Sequence, residues 1–344
     1  MSLLLAADIG GTKSALALFN LDHGLNPVPI FRAVYASSDF SGIQELLGTF
    51  LEESGSKPEY ACLAVAGVIS HGQARLTNLP WTISESQLTD CFGLAGVWLV
   101  NDLTAVCLSL PLLQADDWIE LQPGQEVQGG VRAVIAPGTG LGEGFLVESG
   151  GGSWAQGTEG GHCDFAPTDA IQSALLDWMR EHHPWPEPVS YEMLCSGLGI
   201  PVLYAFFKAS GMAERPALSA ALAEAADQTP LIVNGALDDN PPCPLCRKSV
   251  QTFLAILGAE AGNLALKLYS TGGLYIGGGI MPRLAGRISF APMLAAFNNK
   301  EKMEPLMATI PLRLITRKDT ALLGAAGYGA KMALLFQGQQ GHLL

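Results

Sequence analysis

The sequence is poor in charged residues, and above all in basic ones. Only 15% of its 344 residues are charged, with 19 lysines and arginines against 32 acidic residues, so the formal net charge is −13. This balance argues against a surface for nucleic acid or for an anionic membrane. Because 49% of the residues are hydrophobic, the composition is that of a folded protein rather than a disordered one, and the length favours two domains.

Long hydrophobic runs are also missing. The most apolar stretch, residues 96–113, is interrupted by Asn101, Asp102 and Pro111, so it is not expected to span a membrane. No basic segment precedes the apolar run at the N-terminus, so we expect no signal peptide and a cytoplasmic protein. The seven cysteines are scattered, which is typical of reduced thiols, and the one close pair, Cys243 and Cys246, favours a structural or incidental role over zinc.

Neither a Walker A loop nor a dinucleotide-binding fingerprint is present. The sequence instead begins with an apolar run that ends in Asp8, Gly10, Gly11 and Thr12, and an alternating apolar segment follows from Lys13. This pattern predicts a strand, a tight turn and a second strand. Backbone amides and the Thr12 hydroxyl could bind phosphate there, and the Asp8 carboxylate could hold a hydrated Mg²⁺. An ordinary hairpin with glycines at its turn is the alternative.

The same pattern returns at residues 132–147. An apolar strand leads into a glycine-rich turn with Gly138, Thr139 and Gly140, and a second alternating strand follows. Two such hairpins predict two domains of related topology, each of which lends a phosphate loop to one cleft.

Asn101 and Asp102 stand at the carboxyl end of a buried strand, residues 96–100. A carboxylate beside a cleft suits the role of a general base that takes a proton from a substrate hydroxyl. The alternative is that Asp102 only stabilises the N-terminus of a helix that begins near Thr104.

Periodicity and turn signals outline the remaining chain. Helices are predicted over residues 42–53, 84–91, 170–181, 219–226, 247–269 and 321–336. Strands are predicted over residues 61–67 and 271–280, whereas residues 22–42 are predicted to be irregular.

Six motifs together resemble one family, the bacterial ATP-dependent glucokinases of the sugar kinase, actin and heat-shock ATPase superfamily. The motifs occur in the family's order: Asp8-x-Gly10-Gly11-Thr12, Asn101-Asp102, Gly138-Thr139-Gly140-Leu141-Gly142, Glu159-Gly160-Gly161-His162-x-Asp164-Phe165-Ala166-Pro167, Glu192-x-x-x-Ser196-Gly197 and Gly277-Gly278-Gly279. The resemblance implies an α/β, two-domain actin-like ATPase fold with a ribonuclease H-like core in each domain and an interdomain cleft. The small domain would comprise residues 1–112 plus 318–344, and the large domain residues 113–317.

The resemblance also implies the roles of the site residues. Asp102 would accept the proton of the sugar 6-hydroxyl, Asn101 and Glu159 would hold ring hydroxyls, and His162 and Glu192 would lie toward the 1- and 2-hydroxyls. From the residues alone, His162 could instead bind a metal with Asp164 or be satisfied by backbone. Asn78 either faces the sugar or shapes the turn before Pro80, and Gly277, Gly278 and Gly279 either pass close to the adenosine or simply end a strand.

The implied reaction converts D-glucose and ATP to glucose 6-phosphate and ADP, with Mg²⁺ bridging phosphates. The family further suggests a homodimer, and no structural zinc is expected, because the cysteine motif that follows such a histidine in related repressors is missing. Lys13-Ser14 departs from the usual family residues but places a lysine beside the γ-phosphate. A kinase for another hexose, or a sugar sensor without catalysis, is the rival interpretation.

Overall fold

A computed structural model describes residues 2–22, 25, 28–76, 79–150, 152–182, 188–238 and 243–341. The chain divides into two compact units. The first comprises Met1–Ala115, Gly150–Gly157 and Arg317–Leu344, and the second comprises Asp116–Ser149 and Thr158–Thr316. Residues 150–157, which the sequence assigned to the larger domain, therefore group with the first unit.

In the described part of the chain, the first unit opens with eight strands and three helices. In chain order they are β1 (Leu3–Ile9), β2 (Lys13–Asn20), β3 (Phe31–Ala36), α1 (Ile43–Ser54), β4 (Tyr60–Val65), β5 (Gly67–Ser70), β6 (Gln73–Leu76), β7 (Thr82–Ser84), α2 (Glu85–Phe92), β8 (Gly96–Asn101) and α3 (Asp102–Ser109).

The elements that follow lie mainly in the second unit. They are β9 (Trp118–Gln122), β10 (Arg132–Pro137), β11 (Leu141–Ser149), β12 (Gly152–Thr158), α4 (Ala170–His182), α5 (Gly199–Ala209), α6 (Pro216–Glu224), α7 (Thr229–Leu237), α8 (Pro244–Leu268), β13 (Leu274–Ile276), α9 (Met281–Leu284), α10 (Ala291–Asn298), α11 (Glu304–Met307) and β14 (Leu312–Ile315). The last helix, α12 (Thr320–Gly341), belongs to the first unit.

The main sheet of the first unit has the strand order β3-β2-β1-β4-β8. Strands β1 and β2 form the predicted antiparallel hairpin, whereas β4 and β8 run parallel to β1. The register pairs Ile9 with Val65 and Val65 with Asn101, so β1, β4 and β8 end at one edge. Since Asp8 and Asp102 stand at the ends of β1 and β8, this edge brings together two of the acidic residues that the sequence singled out.

Helix α12 holds α3 against one face of this sheet. The two helices pack closely because Gly324 has no side chain, and a Cβ there would lie 2.6 Å from the carbonyl carbon of Ala105. Small buried residues of α12, among them Ala325 and Ala326, join β1 and β4 in one apolar cluster. This packing fixes the start of α3, and with it Asp102.

The second unit repeats the arrangement of the first. Those of its strands that belong entirely to this unit pair in the order β11-β10-β13-β14-β9. Strands β10 and β11 form an antiparallel hairpin, and β13 and β14 continue parallel to β10. The predicted second hairpin is therefore confirmed, and the structure adds that parallel strands follow each hairpin in the sheet. The 25-residue helix α8 is buried against this unit's core.

Three of the differences from the prediction have a clear local cause. Residues 22–42 were expected to be irregular, but β3 forms there, with Phe31, Ala33 and Tyr35 packed on the core from its inner face. Strand β13 covers only Leu274–Ile276 of the predicted 271–280, because Gly273 and Gly278 adopt positive φ on either side of it. Helix α3 starts at Asp102 rather than near Thr104, because Asn101 caps it.

Within the residues that the structure describes, no helix is both long enough and apolar enough to cross a membrane.

Candidate active site

The turn between β1 and β2 is braced by a serine from another part of the first unit. The hydroxyl of Ser37 donates a hydrogen bond to the Gly10 carbonyl at 2.8 Å, and the Ser37 amide donates to the Thr12 carbonyl at 3.0 Å. Gly10 is required by close approach rather than by positive φ, since a Cβ there would lie 2.9 Å from the Lys13 carbonyl oxygen. Thr12 and Lys13 remain exposed at the tip, where a ligand can reach them.

The Asp8 carboxyl is largely buried and lies near a second carboxylate. Burial, and to a smaller extent the nearby Asp102 carboxylate, raises the pKa of Asp8 to about 6. Asp8 lies in β1 and Asp102 directly follows β8 of the same sheet, and the two carboxylates repel each other when both are ionised. Two neighbouring oxygen-donor groups of this kind fit a hard divalent cation, whose charge would relieve the repulsion.

Asn101 and Asp102 hold the first turn of α3. The Asn101 Oδ1 atom accepts hydrogen bonds from the amides of Leu103 and Thr104, each at 3.1 Å. The Asp102 Oδ1 atom accepts from the Leu103 amide at 2.9 Å. Both residues therefore stabilise the helix N-terminus, which is the role that the alternative interpretation gave to Asp102. This position does not exclude chemistry, because a carboxylate has further lone pairs to offer a substrate.

A segment from later in the chain contacts the same turn. The Gly157 amide donates to Thr104 Oγ1 at 2.9 Å, and a Cβ on Gly157 would lie 2.9 Å from Asn101 Oδ1. Within the first unit, β12 therefore ends directly against Asn101. The sequence offered no signal for this contact, which joins residues 53 positions apart.

In the second unit, the two glycine motifs lie side by side. The Gly138 amide donates to the Gly140 carbonyl at 2.8 Å and closes the turn after β10. The Gly277 amide donates to the Ile135 carbonyl at 2.8 Å, and Gly278, with a φ of 80°, lies directly against the backbone of Pro137. The structure thus brings together the Gly138–Gly140 turn, whose Thr139 is exposed, and the turn that begins at Gly277 and ends at Gly279.

Glu192 connects this turn to the histidine motif. Its Oε2 atom accepts a hydrogen bond from the Leu141 amide at 2.9 Å, and its own amide donates to the Gly161 carbonyl at 2.8 Å. His162 lies between two carboxylates, with Nδ1 3.9 Å from Glu192 Oε1 and Nε2 3.9 Å from Glu159 Oε2. The predicted residues Glu159, His162 and Glu192 are therefore adjacent within this unit.

These three side chains are accessible to a ligand. The side chain of Glu159 is 88% exposed, that of His162 is 61% exposed and that of Glu192 is 28% exposed. They offer carboxylate acceptors and an imidazole, which suit neutral hydroxyl groups. Across the described ranges, no group of three or more His, Cys, Asp or Glu side chains is arranged to hold a metal ion. Asn78 lies outside the described residues.

Comparison with known proteins identifies relatives over nearly the whole chain. The family model described as glucokinase matches residues 5–332. A glucokinase of Nostoc sp. is 36% identical over 343 residues, covering 96% of this chain and 100% of the relative. The crystal structure of a glucokinase from an Antarctic psychrotroph superposes with a TM-score of 0.82 at 32% identity, covering 96% of this chain and 99% of the other.

A more distant structure shares the fold alone. A ROK family glucokinase from Streptomyces griseus, solved in complex with glucose and AMPPNP, has a TM-score of 0.64 at 17% identity. It covers 96% of this chain, and 100% of its own chain is matched. The predicted actin-like ATPase fold is confirmed by these likenesses.

Proposed function

The chain belongs to the glucokinase family, and from this premise we propose that it phosphorylates D-glucose with ATP to give glucose 6-phosphate and ADP. The observation that supports this most strongly lies in the first unit. There, the Asp102 carboxylate and the β1–β2 glycine turn follow strands that end at one edge of the sheet. A base for the sugar hydroxyl and a loop for the phosphates thus occur together.

We propose Asp102 as the general base. Its carboxylate accepts the proton of the glucose 6-hydroxyl as that oxygen bonds to the γ-phosphorus and the bond to ADP breaks. Positioning and electrostatic stabilisation account for phosphoryl transfer without a covalent enzyme intermediate. The Oδ1 atom of Asn101 caps α3, and its Nδ2 atom is proposed to hold a ring hydroxyl. In the structure Nδ2 donates to the Gly67 carbonyl at 3.4 Å, a weak bond that a substrate can replace.

The second unit supplies the other sugar contacts in this proposal. Glu159 accepts from ring hydroxyls, and His162 and Glu192 bind the 1- and 2-hydroxyl end. Because Glu192 is held by the Leu141 amide at 2.9 Å, its carboxylate is pre-oriented before the sugar arrives. Asn78 remains a candidate sugar contact by family resemblance.

The glycine turns are proposed to bind ATP. Backbone amides and hydroxyls at Gly10–Thr12 and Gly138–Gly140 suit the phosphates, with Lys13 near the γ-phosphate. The Gly277–Gly279 turn suits the adenosine, since Gly278 lies so close to Pro137 that no side chain would fit there.

Mg²⁺ is proposed to bind at Asp8, through water. The fit rests on the donor set, because Asp8 and Asp102 present carboxylate oxygens whose mutual repulsion a cation relieves. When bound, the ion supplies positive charge to the phosphate oxygens. The family resemblance adds a cytoplasmic homodimer to the proposal, and sedimentation of the purified protein measures its association state.

A panel of sugars tests the proposed substrate. ADP formation is measured with Mg-ATP and glucose, mannose, fructose or N-acetylglucosamine, each against a reaction without sugar. The proposal expects the highest kcat/KM with glucose and little ADP without it. A clear preference for another hexose would replace the substrate, and no sugar-dependent ADP with glucose still bound would favour a sensor.

A further inference from the structure

A buried group of polar side chains lies beneath the histidine motif of the second unit and has no role in the reaction described above. Two of its members are glutamates, Glu143 on β11 and Glu260 on α8, which are 2% and 0% exposed. Carboxyl groups are rarely buried so deeply unless they are paired or serve a purpose. Tyr191, Asn263 and Lys300 complete the group, which we call the buried polar cluster.

Glu143 lies directly under the segment that carries the sugar residues. A Cβ added to Gly160 would lie on the Glu143 carboxyl, 2.9 Å from its Cδ atom. The Thr158 hydroxyl donates to the Glu143 backbone carbonyl at 3.1 Å and accepts from the Gly160 amide at 3.2 Å. Glu143 therefore supports the backbone between Glu159 and His162 from below.

Glu260 anchors the other side of the cluster. Its Oε2 atom accepts from Asn263 Nδ2 at 2.9 Å, and the same amide group is 3.2 Å from the Tyr191 hydroxyl. The Lys300 ammonium donates to Asn263 Oδ1 at 2.7 Å. Tyr191 precedes Glu192 in the chain, and its backbone amide donates to the Cys163 carbonyl at 3.0 Å, so the cluster reaches both ends of the sugar site.

The pKa of Glu143 is raised to about 7. Burial contributes most to this rise, the Glu260 carboxylate adds to it, and Lys267 opposes it. Lys267 Nζ lies 3.7 Å from Glu260 Oε1. Among the described residues, Glu143 Oε1 and Glu260 Oε1 are both buried without a hydrogen-bond partner. A proton on Glu143 removes one of two buried negative charges, whereas its loss leaves both.

We propose that Glu143 is a positioning residue for the sugar: its uncharged carboxyl supports Gly160 and so holds Glu159 and His162 in place, and its ionisation loosens that support. The inference rests on the proposed sugar-binding role of these two residues. The charged groups that act on Glu143 are Glu260 and Lys267 of α8. Cys195 interacts with both Glu143 and Glu260, and Tyr191 interacts with Glu260. Since the segment that Glu143 supports carries the proposed sugar residues Glu159 and His162 and no proposed ATP residue, the effect should appear in sugar binding and not in ATP binding.

The test compares wild type with Glu143→Gln, which keeps the shape of an uncharged carboxyl and cannot ionise. KM for glucose and KM for ATP are measured from about pH 6 to about pH 8.5. In wild type, KM for glucose rises about tenfold or more across this range, because the ionised form accumulates above pH 7. In Glu143→Gln this rise is reduced to less than half, while the pH dependence of KM for ATP is the same in both proteins. Glu148→Gln, on the same strand with 36% of its side chain exposed, is the matched control and behaves as wild type.

Amide hydrogen exchange of residues 159–163 gives a readout that does not need activity. After correction for intrinsic rates, protection of this segment falls in wild type between pH 6 and pH 8.5 and stays constant in Glu143→Gln. Glu143→Val, which leaves a gap beneath Gly160, lowers the protection at both pH values. Equal pH profiles for wild type and Glu143→Gln in KM and in exchange would overturn the inference. If wild type shows no sugar-dependent activity, the proposed function fails, and the exchange result still decides whether Glu143 supports the segment.

Discussion

The carboxylate of Glu192 is hydrogen-bonded to the amide of Leu141, with 2.9 Å between Oε2 and the nitrogen. Leu141 is the first residue of β11, immediately after the Gly138–Gly140 turn. A residue proposed to bind sugar is thus oriented by the hairpin proposed to bind phosphate. Gly140 leaves room for the Glu192 carboxylate, because a Cβ at this position would lie only 3.1 Å from Glu192 Cδ.

Replacing Glu192 with glutamine should weaken glucose binding. The amide oxygen can still accept from Leu141, but the sugar loses a charged acceptor, and a hydrogen bond to a charged group contributes about 1.5–3 kcal/mol. We expect KM for glucose to rise roughly 10- to 100-fold, as measured by coupled assay. Glu181→Gln, at an exposed position near the end of α4, is the control, and an unchanged KM in Glu192→Gln would contradict the assignment.

Ser37→Ala should disturb ATP binding more than glucose binding. The variant removes the hydroxyl that donates to the Gly10 carbonyl and leaves the buried Ser14 hydroxyl without its 2.9 Å partner. The loss of such a bond costs about 1 kcal/mol, and we expect KM for ATP to rise roughly fivefold. Ser38→Ala, at the exposed neighbouring position, is the matched control. A larger effect on KM for glucose than on KM for ATP would count against the phosphate role of this turn.

Thr104→Val should destabilise the protein, because it takes the acceptor from the Gly157 amide while keeping the side-chain volume. An unsatisfied amide at this half-buried position costs about 1 kcal/mol. Urea unfolding measures the loss as a lower midpoint with an unchanged slope. Thr104→Ser retains the hydroxyl and should recover most of the stability. A loss in Thr104→Ser that is absent in Thr104→Val would show that the methyl group, not the hydrogen bond, matters.

Stability should fall as the pH rises through the range in which Glu143 ionises. The pKa of Glu143 is raised from an ordinary 4.5 to about 7, so the folded state holds more protons than the unfolded state between these values. Its contribution is therefore most favourable below pH 4.5 and is lost as the pH approaches 7. Between pH 5 and pH 8, the unfolding free energy of wild type should fall by about 2 kcal/mol more than that of Glu143→Gln. A larger fall in the variant would contradict this account.

The hairpins, the repeat and most of the helices could be predicted from the sequence, because their signals are local. In the first hairpin, the alternation after Lys13 lies within a few residues of the turn at Gly10. In the second hairpin, an alternating strand likewise follows the turn at Gly138. The strand β3 was missed, since its outer face is exposed and its inner residues Phe31, Ala33 and Tyr35 are separated by residues of mixed polarity. Its pairing with β2 is a tertiary effect that propensity does not report.

The parts of the site that the sequence did not indicate all depend on contacts between distant residues. Ser37 braces a turn 27 positions earlier, and Gly157 donates to Thr104 across 53 positions. Glu143 appeared in the sequence only as part of a strand, because its burial depends on α8 and on the Gly160 segment. Tertiary packing alone creates these relationships, whereas Glu159, His162 and Glu192 were singled out by resemblance and are adjacent in the structure.

The central claim, that Asp102 is the base in a glucose-phosphorylating reaction, is tested most directly by Asp102→Asn. The asparagine keeps an oxygen that can accept from the Leu103 amide, so α3 should remain intact. Asp90→Asn, on the exposed side of α2, is the matched control. General base catalysis contributes about 10²- to 10⁴-fold. We predict that glucose-dependent kcat falls by at least about 10²-fold while glucose binding, measured by calorimetry, changes little. A variant that retains near wild-type kcat would contradict the account.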